Sequence, residues 1–271
     1  MLAKVKTILS LPRTERTTQI KIVLRNRYHD YLSRIIYSTV GYWLERTRSR
    51  YILEYRPDSH YDFEQLGDYE QLLKGWLNGN RQNCGDLGRF YALYLNITHI
   101  LGDGIPGDFA ELGVYRGNSA IILATLARRA GRHVYLFDTF EGFDKRDLQG
   151  IDGQSEVGFT RTSLAAVQAL VGNEDVTYVQ GFFPESMSKV SMPERIAVAH
   201  IDCDLYEPMK AGLKEFYPRL SCGGIMLMHD YSSGHWPGAT LAVNEFFEHL
   251  PDKPILLADK CGTAIVRKSV Q

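Results

Sequence analysis

The sequence predicts an α/β fold: an open, mostly parallel seven-stranded sheet ending in an antiparallel hairpin, behind a helical N-terminal extension. Three observations predict it. From Ile105-Pro106-Gly107 onward, short apolar runs alternate with stretches of helical periodicity, the pattern of a parallel sheet covered by helices. The last two apolar runs are joined by a connection too short for a crossover helix, so they pair as a hairpin. Before residue 104 the apolar residues recur at helical steps and no strand pattern interrupts them.

The extension, residues 1–103, contains a basic amphipathic helix near 19–45, in which Ile20, Leu24, Tyr28, Tyr31, Ile35 and Trp43 fall on helical spacing. Residues 1–50 hold eleven Lys and Arg against three Asp and Glu, although the net charge of the chain is −1. Such a helix suits packing on the main domain, a homodimer contact or peripheral contact with a membrane surface. No recognition motif for nucleic acid accompanies the charge. Phe90 to Leu101 is a second helical run.

Residues 104–271 form the second predicted domain. Its strands are 108–113, 133–138, 176–180, 196–202, 225–229, 255–258 and 263–266, and its helices 118–130, 162–171, 209–220 and 238–249. Ligands of such sheets bind beyond the carboxyl ends of the strands, which puts Gly113, Asp138, Gly181, Asp202 and His229-Asp230 on one rim. The segment 140–159 is long for a strand-to-helix connection and reads as a lid. The N-terminus carries no signal-peptide pattern, and Cys84, Cys203, Cys222 and Cys261 have no metal-type spacing, so free thiols in the cytoplasm are expected.

The rim carries the chemistry. In DFAELGVYRGNSA, Gly113 and Gly117 let the chain turn tightly out of the first strand and bring backbone N–H groups against an anionic or polar ligand. The spacing is G-x-x-x-G, not the G-x-G-x-x-G of a pyrophosphate turn, which disfavours a nicotinamide dinucleotide. Asp138 ends the second strand in VYLFD, where an acid either accepts ribose hydroxyls or caps the segment that follows. The combination fits S-adenosylmethionine better than a dinucleotide.

ELGVYRGNSA, LFDTFEGF, IDCDLYEP, YPRLSCGG and the HDY…PGA run resemble, in order and spacing, the macrocin O-methyltransferase family of metal-dependent sugar O-methyltransferases over residues 104–268. The resemblance implies a Rossmann-like class I methyltransferase sheet. It places Glu111, Gly113, Gly117 and Ser119 around the methionine part of S-adenosylmethionine, Asp138 on its ribose, and Gly181 and Phe182 against the adenine. The acceptor would be a small molecule or glycan, with a sugar hydroxyl of a glycosylated natural product or polysaccharide precursor receiving the methyl group.

A neutral hydroxyl is a poor nucleophile, and a chelated divalent cation lowers its pKa and aims it. Asp202, Asp204 and Asp230 supply the hard oxygens that magnesium or manganese takes. Where the family has Asp-Asp-Tyr this chain has His229-Asp230-Tyr231. His229 is then either a ligand that shifts the metal preference or a general base. His235 is a second candidate base, with Trp236 as a sugar-stacking surface; the lid acids Asp144, Asp147 and Asp152 are further substitutes for the lid histidine that this chain lacks. His200 reads as a core histidine. Two other functions stay open: a catechol-like aromatic O-methyltransferase, and a non-catalytic scaffold that kept the cofactor fold.

Overall fold

The computed structural model describes residues 68–79, 86–155 and 158–269, with isolated positions 12, 17, 20, 24, 28, 31 and 35. Contacts divide the chain into two units, 1–65 and 66–271. In the first, the helix expected over 19–45 lies largely outside the described residues; Ile20, Leu24, Tyr28, Tyr31 and Ile35 are helical and exposed. No helix among the described residues is long and apolar enough to cross a membrane.

The second unit opens with two helices, the first packed on the second through Tyr69 and Trp76 against Phe90. Helix α1 (Tyr69–Asn78) buries Tyr69, Leu72, Leu73 and Trp76, the i, i+3, i+4, i+7 face of a 3.6-residue period. Helix α2 (Leu87–Gly102) starts at Asp86, whose carboxylate accepts the Arg89 N–H at 3.0 Å. Then follow β1 (Asp108–Leu112), α3 (Ala120–Arg129), β2 (Val134–Asp138), α4 (Leu164–Val171), β3 (Val176–Gln180), β4 (Ile196–Ile201), α5 (Tyr206–Arg219), β5 (Leu220–Met228), α6 (Pro237–Phe247), β6 (Ile255–Leu256) and β7 (Ala264–Arg267). The sheet order is β3-β2-β1-β4-β5-β7-β6, parallel except for β7, which runs antiparallel to both β5 and β6.

The central strands read as continuous apolar runs because helices cover both faces. Every residue of β4 is buried. Strand β5 begins five residues before its apolar run, at Leu220. The register with β4 shifts between Ile196 and Val198, and Gly223 takes φ +80° to absorb the irregularity. Strands β1 and β4 lie so close that a Cβ on Gly113, at φ +88°, would come 2.0 Å from the Asp202 carbonyl oxygen. That contact fixes the glycine turn after β1 beside the acid that follows β4.

Candidate active site

A cavity of about 480 Å³ runs along the carboxyl ends of the strands. Gly113, Tyr115, Asp138, Gly181 and Phe182 line one part of it; Asp202, Asp204, His229, Asp230, Arg89 and Cys261 line another; Asp144, Asp147, His235 and Trp236 also face it. Tyr115, Phe159, Asp204 and Asp230, all lining residues, hold positive φ without being glycine. Such backbone is held only where the surroundings enforce it, and here it concentrates at one site.

Asp138 locks the first part. Its Oδ2 accepts the Val114 and Tyr115 N–H groups at 2.7 and 2.8 Å, and its Oδ1 accepts the Phe140 N–H at 2.6 Å. The carboxylate therefore caps the glycine turn while still facing the cavity. Gly117 closes the same turn, its N–H donating to the Val114 carbonyl at 2.8 Å, and Ser119 sits buried at the start of α3; neither lines the cavity. Glu111 lies further back still. It is fully buried, lies opposite His200 in the β1–β4 register, and its Oε1 meets His200 Nδ1 at 2.7 Å. A carboxylate inside the sheet needs that partner, so Glu111 and His200 form a core pair away from the cavity wall. Phe182 carries the Arg146 guanidinium 3.6 Å from its ring centroid, whereas Phe183 packs on Phe137 and Phe216.

The acids after β4 and β5 gather around two cationic side chains. His229 Nδ1 lies 2.8 Å from both Asp202 Oδ1 and Asp230 Oδ2, and Asp202 Oδ2 accepts from Arg89. Burial alone would raise the Asp202 carboxyl; Arg89, then His229, override it and hold Asp202 well below the usual carboxylate range. Burial and Arg89 press the His229 imidazole downward, but Asp202 and Asp230 win and raise it well above the ordinary value. Asp204 is pushed the other way, first by burial and then by the charges of Asp230 and Asp202. The ring nitrogen His229 Nε2 is buried and has no hydrogen-bond partner among the described residues.

This donor set fits a divalent cation. Two buried carboxylates, Asp204 and Asp230, and the partly exposed Asp202 face one guanidinium and one imidazole, so acids outnumber cations at this rim. The ligand atoms of His229, Asp230 and Cys261 all lie within 4.8 Å of one another.

Arg89, Cys261 and the residue that positions both were not legible in the motifs. Asp86 is fully buried; one oxygen caps α2 at Arg89, and the other accepts the Lys260 N–H at 2.8 Å. It ties the start of α2 to the loop before β7, and so brings Arg89 and Cys261 to the same rim. The signal available was an Asp three residues before an Arg at the start of an apolar helical run, an N-cap pattern that carries no hint of its distant partner.

The loop after β2 and the loop after β5 supply the rest. Phe143, Phe159 and Trp236 form an aromatic cluster, with ring centroids 5.0 Å apart for Phe143–Phe159 and 5.6 Å for Phe143–Trp236. Asp152 anchors the segment by accepting the Tyr206 N–H at 2.7 Å, at the start of α5. Asp144 is held by Arg146, which lowers its carboxyl. Asp147 is buried, and its carboxyl is pushed up to about 7, by burial first and then by the charge of Asp144. His235 is exposed and stands edge-on to Trp236, with centroids 5.0 Å apart.

A 3-2-1-4-5-7-6 sheet with one antiparallel strand, a glycine turn after β1 and an acid after β2 define a class I, S-adenosylmethionine-dependent methyltransferase fold. The same architecture is found in the O-methyltransferase NovP (TM-score 0.59, 23% identity, 68% of this chain and 81% of that one). It recurs in CalS11, a calicheamicin methyltransferase (TM-score 0.51, 21% identity, 79% and 94%).

The macrocin O-methyltransferase (TylF) family matches residues 87–267, and the chain belongs to that family of O-methyltransferases. It is 31% identical over 186 residues to 8-demethyl-8-(2,3-dimethoxy-alpha-L-rhamnosyl)-tetracenomycin-C 4'-O-methyltransferase of Streptomyces olivaceus, covering 64% of this chain and 70% of that protein. It is 33% identical over 166 residues to mycinamicin III 3''-O-methyltransferase of Micromonospora griseorubida, covering 55% and 64%.

Proposed function

We propose that this chain transfers a methyl group from S-adenosylmethionine to a sugar hydroxyl of a glycosylated natural product or polysaccharide precursor, at a site that also holds a divalent cation. The observation that carries the reading is the continuity of one cavity from the Gly113 turn and Asp138 to the Asp202–His229–Asp230 cluster. Cofactor and acceptor sites must share a chamber for an in-line displacement, because the reacting atoms have to approach to about 3–3.5 Å.

In this reading Asp138 holds the turn whose backbone meets the cofactor, with Gly113, Gly181 and Phe182 forming the wall beside it. Asp202, His229 and Asp230, with Asp204, are the residues that would hold the cation. When bound, the cation lowers the pKa of the hydroxyl it contacts and fixes its direction. The acceptor oxygen forms a bond to the methyl carbon as the carbon–sulfur bond breaks, the sulfonium becomes a neutral thioether, and the hydroxyl proton passes to a base. We assign that base to Asp147, which lines the cavity and whose carboxyl lies near neutrality. His229 is ill suited to the task because its Nδ1 is already engaged by Asp202 and Asp230, 2.8 Å away on each side. The Phe143–Phe159–Trp236 cluster offers the apolar face of a sugar a stacking surface.

The test is transfer of a labelled methyl group to a panel of nucleotide-linked deoxysugars, glycosylated macrolides and aromatic diols, before and after chelation. Transfer to sugars that is lost on chelation and in Asp230→Asn supports the reading. Transfer confined to aromatic diols replaces it with a catechol-like activity. Cofactor binding with no transfer to any acceptor and no metal binding supports the scaffold alternative.

A further inference from the structure

We propose that Cys261 joins His229 and Asp230 in a mixed sulfur–nitrogen–oxygen donor set, so that the site selects a borderline transition-metal dication over magnesium. The inference deepens the metal-assisted reading above and rests on it.

Two observations from distant parts of the chain converge. His229 supplies an imidazole directly after β5, beside Asp230. Its ring is 4% exposed as a residue and its Nε2 is without a hydrogen-bond partner, an arrangement that costs free energy unless something else satisfies it. Cys261 comes from the loop between β6 and β7, and its sulfur stands within 4.8 Å of the ligand atoms of both His229 and Asp230. That placement is built into the structure. Asp86 accepts the Lys260 N–H, and Asp259 Oδ1 accepts the Gly262 and Thr263 N–H groups at 2.7 and 2.8 Å, which pins the loop on both sides of the cysteine. Gly262, at φ +75°, lets the chain pass Ser232, whose Oγ would lie 2.2 Å from a Cβ there.

The chemistry of the donors then decides the ion. Magnesium takes oxygen ligands in a tight octahedron and gains little from imidazole or thiolate. Zinc, cobalt and ferrous iron accept sulfur, nitrogen and carboxylate oxygen together, and manganese accepts the last two. His229 Nδ1 meets two carboxylates, which fixes the ring orientation as a carboxylate does for a metal-bound histidine.

Cobalt(II) tests this without reference to turnover. The full-length protein is stripped with chelator, titrated with cobalt under reducing conditions, and followed by near-ultraviolet absorption, which reports thiolate-to-cobalt charge transfer. The wild type is expected to develop that band with one equivalent of cobalt. Cys261→Ser, which keeps Cys84, Cys203 and Cys222, should lose the band and bind cobalt at least about tenfold more weakly, with little change in its affinity for magnesium. Cobalt binding without the band, or a band that survives in Cys261→Ser, overturns the assignment of Cys261 while leaving an oxygen-liganded metal site intact. Absence of any cobalt, manganese or magnesium binding by the wild type overturns both this inference and the metal-assisted reading.

Discussion

Replacing Asp138 by alanine removes the acceptor of three backbone N–H groups, those of Val114, Tyr115 and Phe140. A hydrogen bond to a charged partner contributes about 1.5–3 kcal/mol, and a partly buried group regains some of that from water, so the expected loss is about 4 kcal/mol. For a unit of this size each kcal/mol lowers the melting temperature by roughly 2–4 °C, so cofactor-free Asp138→Ala should melt roughly 8–16 °C below wild type. A ligand that needs the turn must re-form it on binding. Part of the loss should therefore reappear as a Kd for demethylated cofactor weaker by about ten- to a hundredfold, or about 1.4–2.8 kcal/mol. Calorimetric melts with and without demethylated cofactor separate the two effects. A variant that melts within about 2 °C of wild type when empty, yet loses the increment that cofactor adds, would refute this account and return Asp138 to a purely ligand-directed role on the ribose.

Gly113→Ala should be worse tolerated. It forces a side chain into φ +88° at about 1–2 kcal/mol and drives a Cβ against the Asp202 carbonyl at a further 1–3 kcal/mol. Urea unfolding should show that loss, and transfer should fall with it because Asp202 moves; wild-type stability would contradict the geometry. Arg89→Met leaves Asp202 without its guanidinium, which should cost about 3–5 kcal/mol of stability while tightening manganese binding, since a competing positive charge is gone; an unchanged manganese affinity by calorimetric titration would count against a cation at this rim. Asp147 holds its proton more tightly folded than unfolded, so its contribution to stability is greatest at acid pH and declines as pH rises toward about 7. Asp147→Asn should flatten that decline in chemical denaturation between roughly pH 4 and 7, and should remove the acid limb of the turnover profile with little change in cofactor affinity; a profile like that of wild type would dismiss Asp147 as the base.

Much of the scaffold was legible from local pattern. Strand β3 is found where its apolar run predicts it, at Val176–Gln180, and β1, β2 and β4 differ from their runs by a residue at one end, because a strand advertises itself through the nearest few side chains. Strand β6 is two residues shorter than its run, β7 is displaced by one residue at each end, and β5 departs furthest. Its first five residues include Ser221, Cys222 and Gly223, which carry no strand pattern and lie in the register shift between the Leu220 and Ile225 pairings with β4. The rim acids were visible for a related reason: Asp202 and Asp230 follow apolar strands directly, so topology alone brings them to the same edge.

What the sequence by itself determined, then, is the order of strands and helices, the glycine turn and the presence of carboxylates at the strand ends, all set by periodicity and backbone conformation over a few residues. The tertiary structure decided the partners. Only the folded chain brings Arg89 to an acid 113 residues away, sets Cys261 beside His229, turns Glu111 inward onto His200, and makes Asp138 a cap for the turn after β1. Hydrogen bonds and ion pairs depend on distance in space, and separation along the chain does not encode it.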